Sequence, residues 1–269
     1  MTTESLPASA ALTREAPGLG GFNVTVLKLE VRRLLRNRRT VIFSVLAPVV
    51  LFLAFGLNKA YASQSAGTGS HGNVSAFIMI SMALYGAVLA TTSGGAMVSI
   101  ERAAGWSRQL RLTPLSPVAY ITIKILTAMI LGAASVIVVY AVGRLTGKPS
   151  MPGYLWIVTA LCVWVGSLVF AAFGLFMGYL LPTENVMQIL GFGLMLLSFA
   201  GGLFIPLSQF PHILQDLAEF TPLYGLNQLV HAPLLGVGVH MAWVLNAVVW
   251  LLIFAGGAVW RFRKDTARV

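Results

Sequence analysis

The sequence has few charged residues. Asp, Glu, Lys and Arg make up 10% of its 269 residues, whereas 57% are apolar and the mean hydropathy is +0.83. An average soluble domain has about 25% charged and about 45–50% apolar residues. So little charge cannot cover a folded surface in water, which excludes a soluble enzyme. The composition predicts an all-α integral membrane protein, because helices satisfy their backbone hydrogen bonds within lipid.

Residues that could carry catalysis or bind a metal are equally scarce. The single cysteine, Cys162, can form no intramolecular disulfide. The four histidines are scattered, without an HExxH pattern or a cysteine partner, and no GxSxG motif is present. We therefore predict no catalytic residue, no metal site and no cofactor bound by this chain.

Six apolar stretches are long enough to be transmembrane helices. A hydrocarbon core of about 30 Å requires about 20 helical residues, with a working range of about 17 to 25. The predicted spans are residues 41–57, 74–100, 118–143, 154–181, 186–206 and 237–260. Residues 24–260 would thus form a single six-span membrane domain between a tail at residues 1–23 and a basic tail at residues 261–269.

The basic residues predict the orientation of these spans. All but Lys59, Arg144 and Lys148 of the 18 Lys and Arg residues fall on the side that holds both termini. Both termini are therefore expected in the cytoplasm, in a multi-pass protein of the cell membrane. The same placement argues against nucleic-acid binding, because the positive charges follow the rim of a membrane.

Charge inside the predicted spans is limited to Lys124 and His240, each close to a span end. We expect Lys124 to extend its ammonium group to the cytoplasmic surface. Transporters driven by ion gradients keep ionisable groups within their spans. Their scarcity predicts that any energy for transport comes from outside this chain.

Two segments are predicted to lie at the membrane without crossing it. Residues 24–39 place leucines and valines on one helical face and basic residues on another, as in a helix lying on the inner leaflet among anionic headgroups. An ordinary basic flank would explain the same charges. Residues 207–236 contain no Lys or Arg and are interrupted by prolines, which predicts a re-entrant or capping outer segment; a simple folded loop is the alternative.

The cytoplasmic loop between spans two and three, ERAAGWSRQLRLTPLSP from Glu101 to Pro117, has the length of one short helix. Thr113-Pro114 would end that helix, and Ser116-Pro117 would start span three. A basic helix with an exposed aromatic side chain, Trp106, could act as a lever for a cytoplasmic partner. The alternative is an interfacial loop whose tryptophan lies at headgroup level.

Five segments resemble permease subunits of the type-2 ATP-binding-cassette exporters, a family that includes bacterial drug and antibiotic exporters. They are LEVRRLLRNRRTVIFSVLAPVVLFLAFG (29–56), ERAAGWSRQLRLTPLSPVAYITIKIL (101–126), LPTENV (181–186), GGLFIPLSQFP (201–211) and TPLYGLNQLV (221–230). The resemblance extends over nearly the whole chain from about residue 24. The loop at 101–126 and the FIPLSQFP element are its most specific parts.

This resemblance implies partners and residue roles that composition does not show. Two six-span subunits, identical or closely related, would form the pathway, and a separate cytoplasmic ABC ATPase carrying ATP and Mg²⁺ would drive it. Residues 101–114 would be the coupling helix seated in that ATPase. Its implied contact residues are Glu101, Arg102, Gly105, Trp106, Arg108, Gln109, Leu110, Arg111, Thr113 and Pro114.

Spans two and five would line the substrate route at the dimer axis. The implied candidates for substrate contact are Phe77, Ser81, Tyr85, Thr92, Asn185, Gln188 and Phe192. Gly174 and Gly178 form a GxxxG pattern that favours close helix packing within the subunit, although a dimer contact is the alternative. The function that the resemblance implies is ATP-driven multidrug or antibiotic export of amphipathic or apolar molecules. A membrane-embedded lipid-modifying enzyme and a non-transporting sensor or immunity subunit are the alternatives.

Overall fold

A computed structural model describes residues 21–105, 116–181 and 185–267. This part of the chain is almost entirely helical, and its one isolated β-bridge joins Ser65 to Asn73. The helices are α1 (Val24–Arg36), α2 (Arg38–Gly56), α3 (Lys59–Ser63), α4 (Val74–Ala96), α5 (Val98–Ala103), α6 (Pro117–Thr146), α7 (Gly153–Gly166), α8 (Leu168–Leu180), α9 (Val186–Ala200), α10 (His212–Glu219), α11 (Tyr224–Leu235) and α12 (Met241–Ala267), with a 3₁₀ turn at Leu207–Gln209.

Within the described residues, four apolar helical units are long enough to cross a membrane. They are Val74–Ala103, Val118–Thr146, Gly153–Leu180 and Met241–Lys264, with 30, 29, 28 and 24 residues. They coincide with predicted spans two, three, four and six. Many apolar side chains at their surfaces are exposed, for example Ile137 and Leu252 at 66% each. Such helices define an integral membrane protein.

The first and fifth predicted spans are less regular. α1 and the helix that follows meet at an angle of 63°, and the pair counts as one further candidate span only when taken together. Asn37 lies at this bend, where its side chain accepts a hydrogen bond from the Thr40 amide at 3.3 Å. α9 has 15 residues, or about 22 Å of helix, less than a hydrocarbon core requires. The count of six spans therefore stays a prediction.

Two predicted boundaries differ from the observed helix ends. α9 stops at Ala200 and not at residue 206, because Gly202 adopts a positive φ of 73° and the Asn227 side chain donates to the Gly201 carbonyl at 3.0 Å. α12 begins at Met241 and continues to Ala267, so most of the predicted basic tail is helical. Both shifts arise at helix ends, where hydropathy carries little information.

α4 is the central helix of the bundle. In its most apolar stretch 72% of the residues are buried, compared with 11% in α12. Its contact with α8 depends on glycine: a Cβ at Gly174 would overlap the Thr92 carbonyl oxygen, and one at Gly178 would lie 3.1 Å from the Ala96 Cα. The GxxxG pair therefore packs within the subunit, as its spacing predicted.

The segment between α9 and α12 folds back along the bundle. The indole of Trp250 donates to the Phe220 carbonyl at 3.1 Å, and Asn246 donates to the Glu219 carbonyl at 2.8 Å. Trp250 is the tenth residue of α12, about 14 Å along that helix from its first residue. The end of α10 thus lies beside the body of α12 and not beyond its tip.

Candidate functional site

The residues around α1, α5 and the first turns of α6 form what we call the basic end of the bundle. Here five side chains, the ionic cluster, come together: Glu30, Arg33, Glu101, Tyr120 and Lys124. The Lys124 ammonium donates to Glu101 Oε1 at 2.5 Å and to Glu30 Oε2 at 2.6 Å. Arg33 donates to Glu101 Oε1 at 3.0 Å, and the Tyr120 hydroxyl donates to Glu101 Oε2 at 2.6 Å.

Burial separates this cluster from an ordinary surface ion pair. The side chains of Lys124 and Glu101 are each 3% exposed, whereas Glu30 is 16% and Arg33 is 47% exposed. Two carboxylates balance two cations, so the cluster is neutral overall. The prediction that Lys124 reaches the surface is wrong. Its ammonium remains inside because Glu30 and Glu101 replace the water that it would otherwise require.

The start of the predicted coupling helix is only partly in the described chain. Glu101 belongs to α5, which continues the direction of α4 after a break at Met97. Its buried carboxylate is part of the ionic cluster. Arg102 donates to the Tyr179 carbonyl at 2.8 Å, at the end of α8, and Gly105 adopts a positive φ of 74°. The remaining predicted contact residues, Trp106, Arg108, Gln109, Leu110, Arg111, Thr113 and Pro114, lie outside the described residues.

A cleft of about 440 Å³ lies between α2, α4 and α9, next to the basic end. Asn37 and Gln188 contribute amide groups, and Ser93 contributes a hydroxyl. The described residues that line it are Asn37, Thr40, Phe43, Ser44, Leu89, Ser93, Met97, Ile100, Val186, Met187, Gln188, Leu190, Gly191 and Leu194. These residues combine amide and hydroxyl groups with apolar side chains, and among the side chains that the structure describes none in the lining is Asp, Glu, Lys or Arg.

The predicted substrate-contact residues do not form one surface in the subunit. Gln188 lines the cleft, whereas Asn185 and Phe192 are exposed on the same helix or its cap. Thr92 is buried, 1% exposed, and donates to the Phe170 carbonyl at 3.3 Å. Tyr85 packs edge-on against Phe204, with ring centroids 5.0 Å apart.

Ser81 and Phe77 contact a residue that the sequence interpretation passed over, His231 of α11. The His231 ring is buried, with Nε2 3.1 Å from Ser81 Oγ and its centroid 4.0 Å from that of Phe77. His231 Nδ1 lies 2.9 Å from the Asn227 carbonyl oxygen, and Nε2 lies 3.3 Å from the Phe77 carbonyl oxygen. The histidine fixes α11 to α4.

Glu30 was also missed. A usable signal was its rarity, because Glu30 and Glu101 are the only acidic residues between positions 16 and 183. Because Lys124 lies within a predicted span, these two isolated acidic residues are the expected partners for its charge. Elsewhere, within the described ranges, no three His, Cys, Asp or Glu side chains come close enough to hold a metal ion.

Long apolar helices packed around α4 make this chain an integral membrane protein. It belongs to the ABC-2 type transporter family, whose family model matches residues 23–234. A similar protein is "Putative transport permease YvfS" of Bacillus subtilis (strain 168), 26% identical over 199 residues, which are 72% of this chain and 78% of that protein. The family and this relative identify the chain as a membrane transport permease.

Proposed function

We propose that this chain is the membrane subunit of an ATP-driven exporter of amphipathic or apolar small molecules, such as a drug, an antibiotic or a lipid-like compound. It spans the cell membrane six times, with both termini in the cytoplasm. Two copies, identical or closely related, form one pathway, and a separate cytoplasmic ABC ATPase binds ATP and Mg²⁺. The observation that carries this proposal is the family match over residues 23–234, which extends across the cleft and the ionic cluster.

The chemistry of the cleft supports an amphipathic substrate. Its apolar side chains, such as Phe43 and Leu194, favour rings or alkyl groups. Asn37, Ser93 and Gln188 offer hydrogen bonds to hydroxyl, carbonyl or amide groups. A volume of about 440 Å³ lies within the usual range for small-molecule sites. A second copy of the chain would complete the walls of this half-open space.

Residues 101–114 form the contact with the ATPase, and α1 lies beside this segment. Because Glu101 and Arg102 are held inside the subunit, they anchor this segment, and the following residues make the contact. Closure of the ATPase dimer on ATP pushes the two segments and changes the packing of α4 and α9. The inward-open cavity then closes and releases its contents past the re-entrant outer segment at residues 207–236.

Purification of the tagged chain from its native membrane in mild detergent tests this proposal. The expected result is a stable complex with a cytoplasmic ABC ATPase, identified by mass spectrometry and by ATP turnover. Vesicles that contain the complex should then move amphipathic dyes in the outward direction when ATP is added. A chain that is repeatedly recovered without an ATPase would contradict the proposal.

The double variant Trp106→Ala/Leu110→Ala should weaken the association with the ATPase. Burial of a tryptophan and a leucine in a partner groove contributes several kcal/mol, so we expect the affinity to fall by about 100-fold, or about 2.7 kcal/mol. Copurification at matched expression measures the effect. The control is Leu145→Ala in α6, where an 86% exposed leucine lies far from this segment. Equal ATPase recovery from wild type and the double variant would exclude this contact.

The variant Gly191→Phe should block the cleft. Gly191 lines it, and a Cβ added there would have no atom within 4 Å outside its own stretch of helix, so the backbone position accepts a side chain. We expect the apparent affinity for a transported dye to fall by about tenfold, equivalent to about 1.4 kcal/mol. The matched control is Gly193→Phe on the same helix, which also has open space around it but lies outside the lining. Equal transport by both variants would exclude the cleft as a substrate site.

A further inference from the structure

The ionic cluster joins three elements that are distant in the sequence. Glu30 lies on α1, Glu101 on α5, and Tyr120 and Lys124 on α6. The Lys124 ammonium bridges the two carboxylates, so α1 and the start of residues 101–105 are connected through one atom of α6. The contact between α4 and α8, by comparison, depends on the small residues Gly174 and Gly178 and on one neutral hydrogen bond, from Thr92 to the Phe170 carbonyl.

We infer that the ionic cluster is a rigid joint that transmits movement of residues 101–105 to α1 and α6, with Lys124 as its positioning residue. This inference rests on the proposed function, in which residues 101–114 receive the movement of the ATPase. It adds the route by which that movement enters the membrane bundle.

Burial makes the joint resistant to sliding. Contacts between small apolar side chains change little when helices shift, because apolar attraction has no preferred direction. A buried carboxylate that leaves its cation loses a strong interaction in a medium of low polarity and regains no water. Movement of Glu101 therefore displaces Lys124 and, through it, Glu30. α1, α5 and the first turns of α6 move together.

The joint lies next to the cleft. Met97 and Ile100, at the beginning of α5, line the cleft, and Glu101 follows them directly. On the other wall, Asn37 follows α1 and donates to the Met97 sulfur at 3.9 Å. A displacement of residues 101–105 thus changes both walls, one through α5 and the other through α1.

A proton relay explains the cluster less well. Its two carboxylates and two cations are mutually paired, which leaves no buried charge to be exchanged. The next buried hydroxyl along α6, Thr127, donates to the Ile123 carbonyl of its own helix at 2.8 Å. The proton of this hydroxyl is engaged within its own helix, and the paired charges of the cluster indicate a mechanical role.

The first test measures rigidity in the protein with an intact cluster. Spin labels at Leu29 and Ala103, both exposed, report the distance between α1 and α5 in a background where Cys162 is replaced by alanine. We expect a single narrow distance distribution, with the same mean before and after ATP addition. A distribution that is broad, or whose mean changes with ATP, would overturn the rigid joint. The width is measurable in the isolated chain and does not depend on an ATPase being recovered.

The second test removes the ionic link while the charge stays balanced. Lys124→Met alone leaves two carboxylates with one cation and is expected to reduce folded protein, whereas Glu101→Gln/Lys124→Met keeps Glu30 opposite Arg33 and an acceptor for Tyr120. The double variant should retain the ATPase and its ATP turnover, but dye moved per ATP should fall at least about fivefold. Lys148→Met, remote from the cluster, is the control.

The outcomes separate the joint from the proposed function. Wild-type levels of dye moved per ATP in the double variant would overturn the joint and leave the exporter assignment intact. If the double variant does not fold, Glu101→Gln alone serves, and it should broaden the spin-label distribution and lower the dye moved per ATP. An unchanged distribution and unchanged transport in that variant would likewise overturn the inference. Absence of an ATPase from wild-type preparations would contradict the proposed function alone.

Discussion

Replacement of Gly174 by leucine is expected to reduce strongly the yield and the stability of correctly folded protein. The Gly174 Cα faces the backbone of Thr92, and a Cβ there would overlap the Thr92 carbonyl oxygen and lie 2.7 Å from its carbonyl carbon. Backbone atoms cannot rotate away as a side chain does, so α4 and α8 would have to separate along their length. We expect a loss of about 3 kcal/mol in the free energy of unfolding.

Such a loss is large relative to the total stability of a typical domain, about 5–15 kcal/mol. The yield of monodisperse protein in detergent and its unfolding midpoint measure it. Gly193→Ala is the matched control, because no atom lies within 4 Å of its Cβ position. That change removes the conformational freedom of glycine within a helix and should be neutral or stabilising by up to about 1 kcal/mol. A wild-type yield of Gly174→Leu would show that the two helices do not approach so closely.

The helices themselves were predictable, because an apolar run long enough for a bilayer leaves the chain few other conformations. Which face of each helix contacts the protein and which contacts lipid was not predictable. In a soluble helix, polar residues mark the outside, but here lipid-facing and protein-facing surfaces are both apolar. Thr92, for example, is a predicted substrate-contact residue, and in the subunit its hydroxyl bonds to the Phe170 carbonyl.

The placement of Lys124 shows the same limit for charge. Its distance from the predicted span end suggested that the ammonium reaches water. The ion pairs that retain it involve Glu30, which is 94 positions away, and Glu101, which is 23 positions away. A hydropathy or charge pattern along one helix cannot predict contacts between residues that are so far apart in the sequence. The rarity of acidic residues was the available signal. It identifies Glu30 and Glu101 as candidate partners of Lys124, but it does not predict the geometry of their contacts.

The Gly174–Gly178 pair was predictable for a different reason. Small residues four positions apart create a groove on any helix, and a central helix rich in Gly, Ala and Ser, such as α4, supplies a flat partner. The packing therefore follows from local size alone. The bend at Asn37 and the end of α9 at Ala200, just before Gly202, depend on individual capping contacts, which apolar periodicity does not predict.

Asn73 holds together the end of the bundle opposite the ionic cluster. It is 6% exposed, and its side-chain oxygen accepts from the amides of Ala76 at 2.9 Å and Ser150 at 3.0 Å. Its side-chain nitrogen donates to the carbonyls of Ala62 at 2.9 Å and Lys148 at 2.8 Å. One side chain thus caps α4 and ties two connecting segments to it.

Asn73→Ala should therefore destabilise the protein far more than the loss of an ordinary helix cap. Four backbone groups lose a hydrogen bond at once, although the Ala76 amide keeps its bond to the Asn73 carbonyl at 3.0 Å. Each buried group left without a partner costs about 1–3 kcal/mol unless water reaches it. We expect a total of about 3 kcal/mol. For a chain of this size the melting temperature should fall by about 6–12 °C, as measured by thermal unfolding in detergent.

Two further variants identify the cause of the Asn73 effect. Asn58→Ala removes an exposed cap of α3 that accepts one hydrogen bond, from the Ala60 amide at 3.0 Å, and should cost about 1 kcal/mol or less. Asn73→Asp retains the two accepted bonds but turns a carboxylate oxygen toward the carbonyls of Ala62 and Lys148. If capping of α4 alone mattered, Asn73→Asp would be as stable as wild type. Since the donated bonds connect the segments around α3 and Ser150, we expect the aspartate variant to be destabilised nearly as much as the alanine variant.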